Sequence, residues 1–369
     1  MAETSDIIVI GGGMAGVSAA ARLAPHARII VLERETAIGY HSTGRSAAVF
    51  IRNYGNATLR ALNDASAAFL DNPEGLADSS LLTRRGELLI AGDDELDAFA
   101  AYKAGAEGLQ DLSPGEAVDL FPILRPDRIV RAAFEPGAQD IDVDRMLTGF
   151  ARRLKTLGGR IVLSAEATAI GRADGKWRVT TPVGDFAAPM LVNAAGAWAD
   201  VMCRIAGVAP LGLQPMRRTA ALLPAPAGHD VTRWPLCATA SEKWYAKPDA
   251  GKLFFSPADE TPVEPHDAWS DDMALAEGLD RFQQATTCEV TRVDRNWAGL
   301  RSFFPDRTPA AGFAADGFFV LAGQGGYGIQ TAPALSRLAA DLILGLPPEL
   351  DPAVIAALSP LRPALRRTV

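Results

Sequence analysis

The glycines of Gly11-Gly12-Gly13-Met14-Ala15-Gly16 and the acid Glu33 carry the clearest chemistry in this chain. Asp6–Ile10 is a short apolar run suited to a buried parallel strand, and it leads straight into this G-x-G-x-x-G. An Ala-rich helical stretch, Val17–Leu23, follows, then a second apolar run, Ile29–Leu32, ending at Glu33. In such an arrangement Gly11 allows the tight turn, Gly13 lets a pyrophosphate approach the backbone, and Gly16 lets the helix pack on the strand. The helix start, just after Ala15 and Gly16, offers N–H groups and a positive dipole end to phosphates, with Ala15 among the expected cofactor contacts. Glu33 stands where a carboxylate accepts both ribose hydroxyls and repels a 2′-phosphate, which disfavours NADP. A bare glycine motif fits an ordinary turn equally well. Strand, glycines, helix, strand and acid in register select a bound dinucleotide.

Two other glycine-containing segments have related chemistry. Gly323-Gln324-Gly325-Gly326-Tyr327-Gly328-Ile329-Gln330 lies between an apolar strand and a helix, so its N–H groups can stabilise negative charge on a bound group. A structural glycine turn is the alternative. Tyr40-His41-Ser42-Thr43-Gly44-Arg45-Ser46-Ala47-Ala48 has the hydroxyls, glycine and arginine of a loop that wraps phosphates or a flat ring, and an ordinary polar loop has the same composition. Asn193–Trp198, with Gly196, follows another apolar strand and reads either as close packing on a cofactor or as a simple strand-to-helix turn.

These segments need a scaffold, and 369 residues with 48% hydrophobic content suffice for a large core or two domains. A net charge of −8 argues against nucleic acid as a partner. Three dispersed cysteines without a C-x-x-C predict reduced thiols and a cytoplasmic location, free or peripheral to the membrane. Four scattered histidines give no metal site, so none is expected. Glu3 and Asp6 ahead of the first apolar run, with no basic n-region, do not suit a signal peptide, and no transmembrane segment is expected.

Helices are predicted at Ala57–Leu70, Val143–Leu157 and Ala334–Leu344. Strands are predicted at 86–90, 128–134, 160–163, 165–167, 177–181, 185–187, 190–192, 219–223, 252–256 and 318–322. The simplest division is a discontinuous nucleotide-binding domain, 1–80, 136–209 and 306–369, with a β-rich substrate domain from 81–135 and 210–305. The fold class is α/β: a Rossmann-like domain joined to an antiparallel-sheet domain.

The stretches GGGMAG, VLERE, GYHSTGRSAA, LVNAAGAW, PLGLQP with Arg217-Arg218, Tyr245-Ala-Lys-Pro-Asp-Ala-Gly, NWAGLRSF and GQGGYGIQT resemble the D-amino-acid oxidase superfamily of FAD proteins, and within it the D-arginine dehydrogenases. The resemblance runs from the N-terminus to about residue 332 and implies FAD rather than NAD. It implies that Glu33, Arg34 and Ala167 contact the adenosine half and that Ser42, Thr43, Gly44, Arg45, Ser46, Ala47 and Ala48 line the flavin. Gly325, Gly326, Tyr327, Gly328, Ile329 and Gln330 would approach the ring. No cysteine lies in an attachment motif, so the FAD is expected to be non-covalent.

An amino-acid substrate needs a cation for its carboxylate, which an arginine binds bidentately. Arg218 and Arg301 match the family's pocket arginines, and Tyr54 and Tyr245 match its pocket tyrosines. These four are the expected catalytic residues. Gln330 and the Gly326 carbonyl would hold the substrate's amine or carboxylate end, and Glu87 matches the acid that receives a cationic side chain. Without the resemblance, each reads as an ordinary surface or packing residue. One departure stands out: Val49 and Phe50 occupy positions where the D-arginine dehydrogenase pattern has histidine and tyrosine, and valine can neither hydrogen-bond a ligand nor relay a proton.

The implied reaction is oxidative deamination of D-amino acids, preferably D-Arg and D-Lys, to 2-oxo acids and ammonia, by hydride transfer from Cα to flavin N5. Oxidation of a secondary amine of the sarcosine, glycine or proline type is the alternative on the same fold. A nicotinamide-dependent dehydrogenase and a non-catalytic flavin sensor are the more distant ones. Oxygen and a quinone-type carrier are both compatible electron acceptors, and a monomer is compatible with the sequence.

Overall fold

The computed structural model describes residues 2–365. The expected domain ends at residue 1 and residues 366–369 therefore lie outside the described residues. A six-stranded sheet has the order Arg160–Val162, Ile29–Leu32, Ile7–Ile10, Met190–Asn193, Phe318–Ala322, Ala310–Ala315. All its neighbours run parallel except the last pair. Ile7–Ile10, Ile29–Leu32 and Phe318–Ala322 are buried on both faces, which is why they read as unbroken apolar runs. The helices Met14–Leu23 and Gly328–Leu344 pack together on one face of this sheet with Ala57–Asp71 and Val143–Thr156.

A nine-stranded sheet forms the second layer. It contains Glu87–Ala91, Gln110–Leu112, Arg131–Glu135, Gln214–Leu223, Leu236–Thr239, Tyr245–Asp249, Lys252–Ser256, Thr261–Pro262 and Arg295–Phe303. Its pairs are antiparallel apart from Leu236–Thr239 beside Glu87–Ile90. Long pairing of Gln214–Leu223 with Arg295–Phe303 places Met216 opposite Arg301 and Arg218 opposite Gly299. Arg218 and Arg301, 83 residues apart in sequence, are thereby brought onto neighbouring strands.

Several local expectations need correction. The first helix begins at Met14, so Gly16 lies inside it. The last glycine-rich helix begins at Gly328 and runs through Pro333, whereas proline pointed to a later start at Ala334. Residues 165–167 are irregular: Ser164 takes φ 53°, ending the strand and turning the chain so that the Ala165 N–H donates to the Glu33 carbonyl at 2.8 Å. The expected strand at 128–134 is Arg131–Glu135, because Pro126–Arg128 forms a 3-10 turn.

Candidate active site

Two clefts that share Gly13, Ser42, Thr43, Ala194, Gly196 and Ala197 make one trench across the carboxyl ends of the parallel strands. Glu33, Arg34, Ala167 and Trp198 wall one end. Glu33 is buried, and its two carboxylate oxygens accept the Gly12 N–H at 2.6 Å and the Glu35 N–H at 2.8 Å. Each oxygen keeps a second lone pair, so the backbone orients an acceptor that can still serve hydroxyls. Arg34 lies over the Trp198 ring at 4.9 Å and within 3.4 Å of Glu166.

The middle of the trench passes the first helix's N-terminus, where Gly13 provides no side-chain cap. The Thr43 hydroxyl accepts the Met14 N–H at 3.1 Å, and the Ser42 hydroxyl donates to the Leu300 carbonyl at 2.7 Å. These bonds fix the 3-10 turn Ser42–Arg45 against both layers. Arg45 contributes no free charge. Its guanidinium donates to the Ala268 and Ala298 carbonyls at 2.8 and 3.0 Å and to Asp267 at 2.5 Å. The far wall is Gly325, Gly326, Gly328 and Ile329. A dinucleotide fits this trench: a Cβ on Gly13 would meet only Thr43 Oγ1, at 3.4 Å, so this backbone is open to a close-approaching group.

Five cofactor expectations shift. The Tyr327 ring packs between Tyr54 and Phe303, at 4.7 and 6.3 Å, instead of facing the trench. Gly16 and Gly44 sit behind the wall, against the carbonyls of Gly11 and Gly39. Ala48, with φ 45°, lines the adjoining cavity. Gln330 also lines that cavity, but its amide accepts the Ile51 N–H at 3.0 Å and donates to Asn63 at 2.9 Å, so its polar groups brace the wall.

The adjoining cavity brings together Tyr54, Glu87, Arg218, Tyr245 and Arg301, with Val49 on its wall. Arg218 is 5% exposed; its Nη2 meets Glu260 at 2.9 Å and Glu242 at 3.4 Å, while its Nε and Nη1 have no protein partner. Buried guanidinium N–H groups without acceptors are costly unless a ligand supplies them. Arg301 Nη2 donates to the Tyr245 hydroxyl at 3.2 Å. Gly326 lets that guanidinium lie close, since a Cβ there would approach its Nη1 to 3.0 Å. The Tyr54 hydroxyl donates to Glu242 at 3.3 Å, and burial, followed by Glu242, pushes its pKa well above the ordinary value, which keeps a neutral donor.

Glu87 is buried, and its Oε2 accepts the Tyr102 hydroxyl at 2.8 Å. Burial, then the neighbouring Glu135, push its pKa up to about 8 from 4.5. The folded protein therefore holds a proton on Glu87 between those values that the unfolded chain releases, and this contribution to stability is complete below about pH 4.5 and lost as pH rises through about 8. Glu87→Gln, which cannot ionise, is expected to melt above the parent at about pH 9, by on the order of 1–5 kcal/mol, with the gap closing toward about pH 5. Calorimetry showing a gap that widens toward acid would refute this.

Tyr102, Glu135, Glu242 and Glu260 were not singled out from the sequence. Tyr102 reaches the site from the helix Leu96–Lys103, Glu135 through strand pairing, and Glu242 and Glu260 from the connections around the strands Tyr245–Asp249 and Lys252–Ser256, and no local motif marks any of them. Glu242 carries one signal only visible in three dimensions, a φ of 53° in the turn before Tyr245.

Residues 6–342 match the family model described as DAO, FAD dependent oxidoreductase. Glycine oxidase of Geobacillus kaustophilus (strain HTA426) is 24% identical over 368 residues, covering 93% of this chain and 94% of that protein. The crystal structure of glycine oxidase from Geobacillus kaustophilus superposes with a TM-score of 0.84 at 23% identity over 100% of both chains. L-proline dehydrogenase from P.horikoshii gives 0.82 at 23% identity over 98% of both. Dimethylglycine dehydrogenase of Rattus norvegicus mitochondria is 27% identical over 214 residues; that match takes in 56% of this chain but spans 25% of the longer relative.

Proposed function

Since the chain belongs to the DAO family of FAD-dependent oxidoreductases, we propose that it oxidises amino acids with a cationic side chain, D-Arg and D-Lys foremost, to 2-oxo acids and ammonia. One observation carries this reading: a single cavity is lined by the two arginines, Arg218 and Arg301, and by the buried Glu87. A molecule with a carboxylate and a cationic side chain offers a partner to each of those groups. We assign FAD to the trench, its phosphates at Gly13 and the first helix start, its adenosine at Glu33 and its ring beside Ser46, Ala47 and Gly325–Gly328. FAD held there would supply the two-electron acceptor for the substrate Cα–H. Arg218, Arg301, Tyr54 and Tyr245 hold the substrate carboxylate and so fix which face of Cα meets the cofactor. The amine must be neutral for its lone pair to assist, so turnover rises with pH through the substrate's own ionisation. The product imine then hydrolyses in water. The domain division that accompanies this reading assigns 1–80, 136–209 and 306–369 to FAD, and 81–135 and 210–305 to substrate.

Oxidation of small amines such as sarcosine, glycine or proline is the second reading, favoured by the near full-length likeness to a glycine oxidase and by the apolar Val49 in the cavity wall. Anaerobic addition of D-Arg, D-Lys, D-Met, D-Phe and sarcosine to the purified holoprotein separates the two. Loss of oxidised-flavin absorbance with the cationic pair supports the first reading, and loss with sarcosine alone replaces it. Glu87→Leu should cut kcat/KM for D-Arg by about 100-fold or more and for D-Met by less than about 5-fold, the size expected when one partner of a buried charge pair is removed. Equal losses would detach Glu87 from the side chain.

A further inference from the structure

Glu87 and Glu135 stand directly opposite each other on the antiparallel strands Glu87–Ala91 and Arg131–Glu135, and each is 4% exposed. Residues so paired share a face of the sheet with Cβ atoms about 5 Å apart, and two ionised carboxylates there repel strongly. Their donors differ. Glu135 accepts the Arg52 N–H at 3.0 Å and the Asn53 amide at 2.8 Å, and Asn53 is itself held by the backbone of Glu107. Glu87 receives only the Tyr102 hydroxyl. Burial raises both carboxyls, but donors to a carboxylate favour its charged form, so within the pair Glu135, with more of them, keeps the charge and Glu87 the proton. The other ionisable groups acting on Glu87 or affected by it are Glu242 and Cys237, both of which also oppose a second negative charge, and no lysine or arginine pairs with Glu87 among the described residues.

We propose that Glu135 and Tyr102 are positioning residues that govern the charge of Glu87, so that a ligand with a cationic side chain binds by expelling the Glu87 proton to solvent. This rests on the cationic-substrate reading. The carboxyl is neutral while the site is empty, which spares the fold a second buried charge. An arriving guanidinium or ammonium reverses the balance, the proton departs, and the ion pair forms. Preference for D-Arg over D-Met then rises with pH up to about 8, where burial and Glu135 place the Glu87 ionisation. Taking the ratio of the two substrates cancels the titration of their common α-amine.

Two measurements test this on the holoenzyme. Infrared titration follows the protonated-carboxyl stretch, identified by its loss in Glu87→Gln. Glu135→Gln should lower its midpoint by about one pH unit or more, because a like charge is removed, and Tyr102→Phe should raise it, because the stabilising donor is lost. A merely structural role for either residue would not move the midpoint in opposite directions, and an unmoved midpoint in both variants overturns the proposal. Should Glu135→Gln fail to fold, the rise in Tyr102→Phe alone decides. The second measurement adds guanidinovalerate, which carries a carboxylate and a guanidinium but no oxidisable amine, to weakly buffered protein. Release of about one proton per ligand at neutral pH, with none for hexanoate, is expected. Binding of guanidinovalerate without proton release overturns the proposal. Failure of guanidinovalerate to bind, with both infrared shifts present, upholds the control of Glu87 and removes the cationic-substrate reading instead.

Discussion

Arg218→Met is expected to lower kcat/KM for every amino-acid substrate by about 100- to 1,000-fold, the roughly 3–4 kcal/mol of a buried charge-assisted pair, while the folded protein loses little heat resistance. Arg218 is 5% exposed, and two of its guanidinium nitrogens have no protein partner. In the absence of ligand that is a cost to folding, since buried donors have left water and gained nothing in return. A substrate carboxylate supplies the missing acceptors. The methionine removes charge and donors together and keeps much of the volume, so the cost disappears along with the function. Glu260 remains satisfied, because Arg307 also donates to both of its oxygens, at 2.8 and 2.9 Å. Steady-state kinetics on several substrates and a melting curve check both halves. A variant that unfolds while keeping near-parental kcat/KM in its folded fraction would make Arg218 a structural residue.

What the sequence revealed of this site follows the range of the interactions involved. The nucleotide trench begins with a strand, a turn and a helix contiguous in sequence, so Ile7–Ile10, Ile29–Leu32 and the helix Met14–Leu23 from Val17 onward are legible from hydrophobic runs and glycine punctuation. Lys252–Ser256 and Phe318–Ala322 were read to the residue, as apolar runs bounded by turn residues. The resemblance supplied Arg218 and Arg301. Their adjacency, however, is a property of antiparallel register over the pairing of Gln214–Leu223 with Arg295–Phe303, which no local pattern encodes. The Glu87–Glu135 pair was hidden for the same reason, and Tyr102 reaches Glu87 from a separate helix. Residue type misled where a charged or polar group is used internally. Arg45 has the chemistry to bind phosphate, and Gln330 to bind substrate, yet protein partners engage both. Such engagement depends on which backbone groups the fold leaves unpaired nearby.

Replacing Gly13 and Gly16 separately by alanine is expected to divide cofactor binding from folding. A Cβ on Gly16 would lie 2.0 Å from the Gly11 carbonyl oxygen and 3.3 Å from a Val9 methyl, both inside the βαβ unit. Neither the turn nor the buried strand can retreat, because Gly11 itself holds φ 111° with its own Cβ position 2.3 Å from the Ala194 carbonyl oxygen. Gly16→Ala should therefore destabilise the apoprotein by about 4 kcal/mol or more, among the largest single-residue effects. Gly13→Ala meets only Thr43 Oγ1, at 3.4 Å, an ordinary contact. Its apoprotein should melt within about 2 °C of the parent, as for a substitution worth no more than ~0.5 kcal/mol. The methyl occupies the space through which a pyrophosphate approaches the helix start, so FAD affinity should fall by roughly 30- to 150-fold, the 2–3 kcal/mol of an overpacked contact. Melting of the apoproteins and fluorescence titration with FAD test the pair. Unchanged FAD affinity in Gly13→Ala would move the phosphates away from this turn, whereas a stable Gly16→Ala apoprotein would mean that the helix can shift along the strand, leaving Gly13 as the one glycine of the two that the cofactor requires.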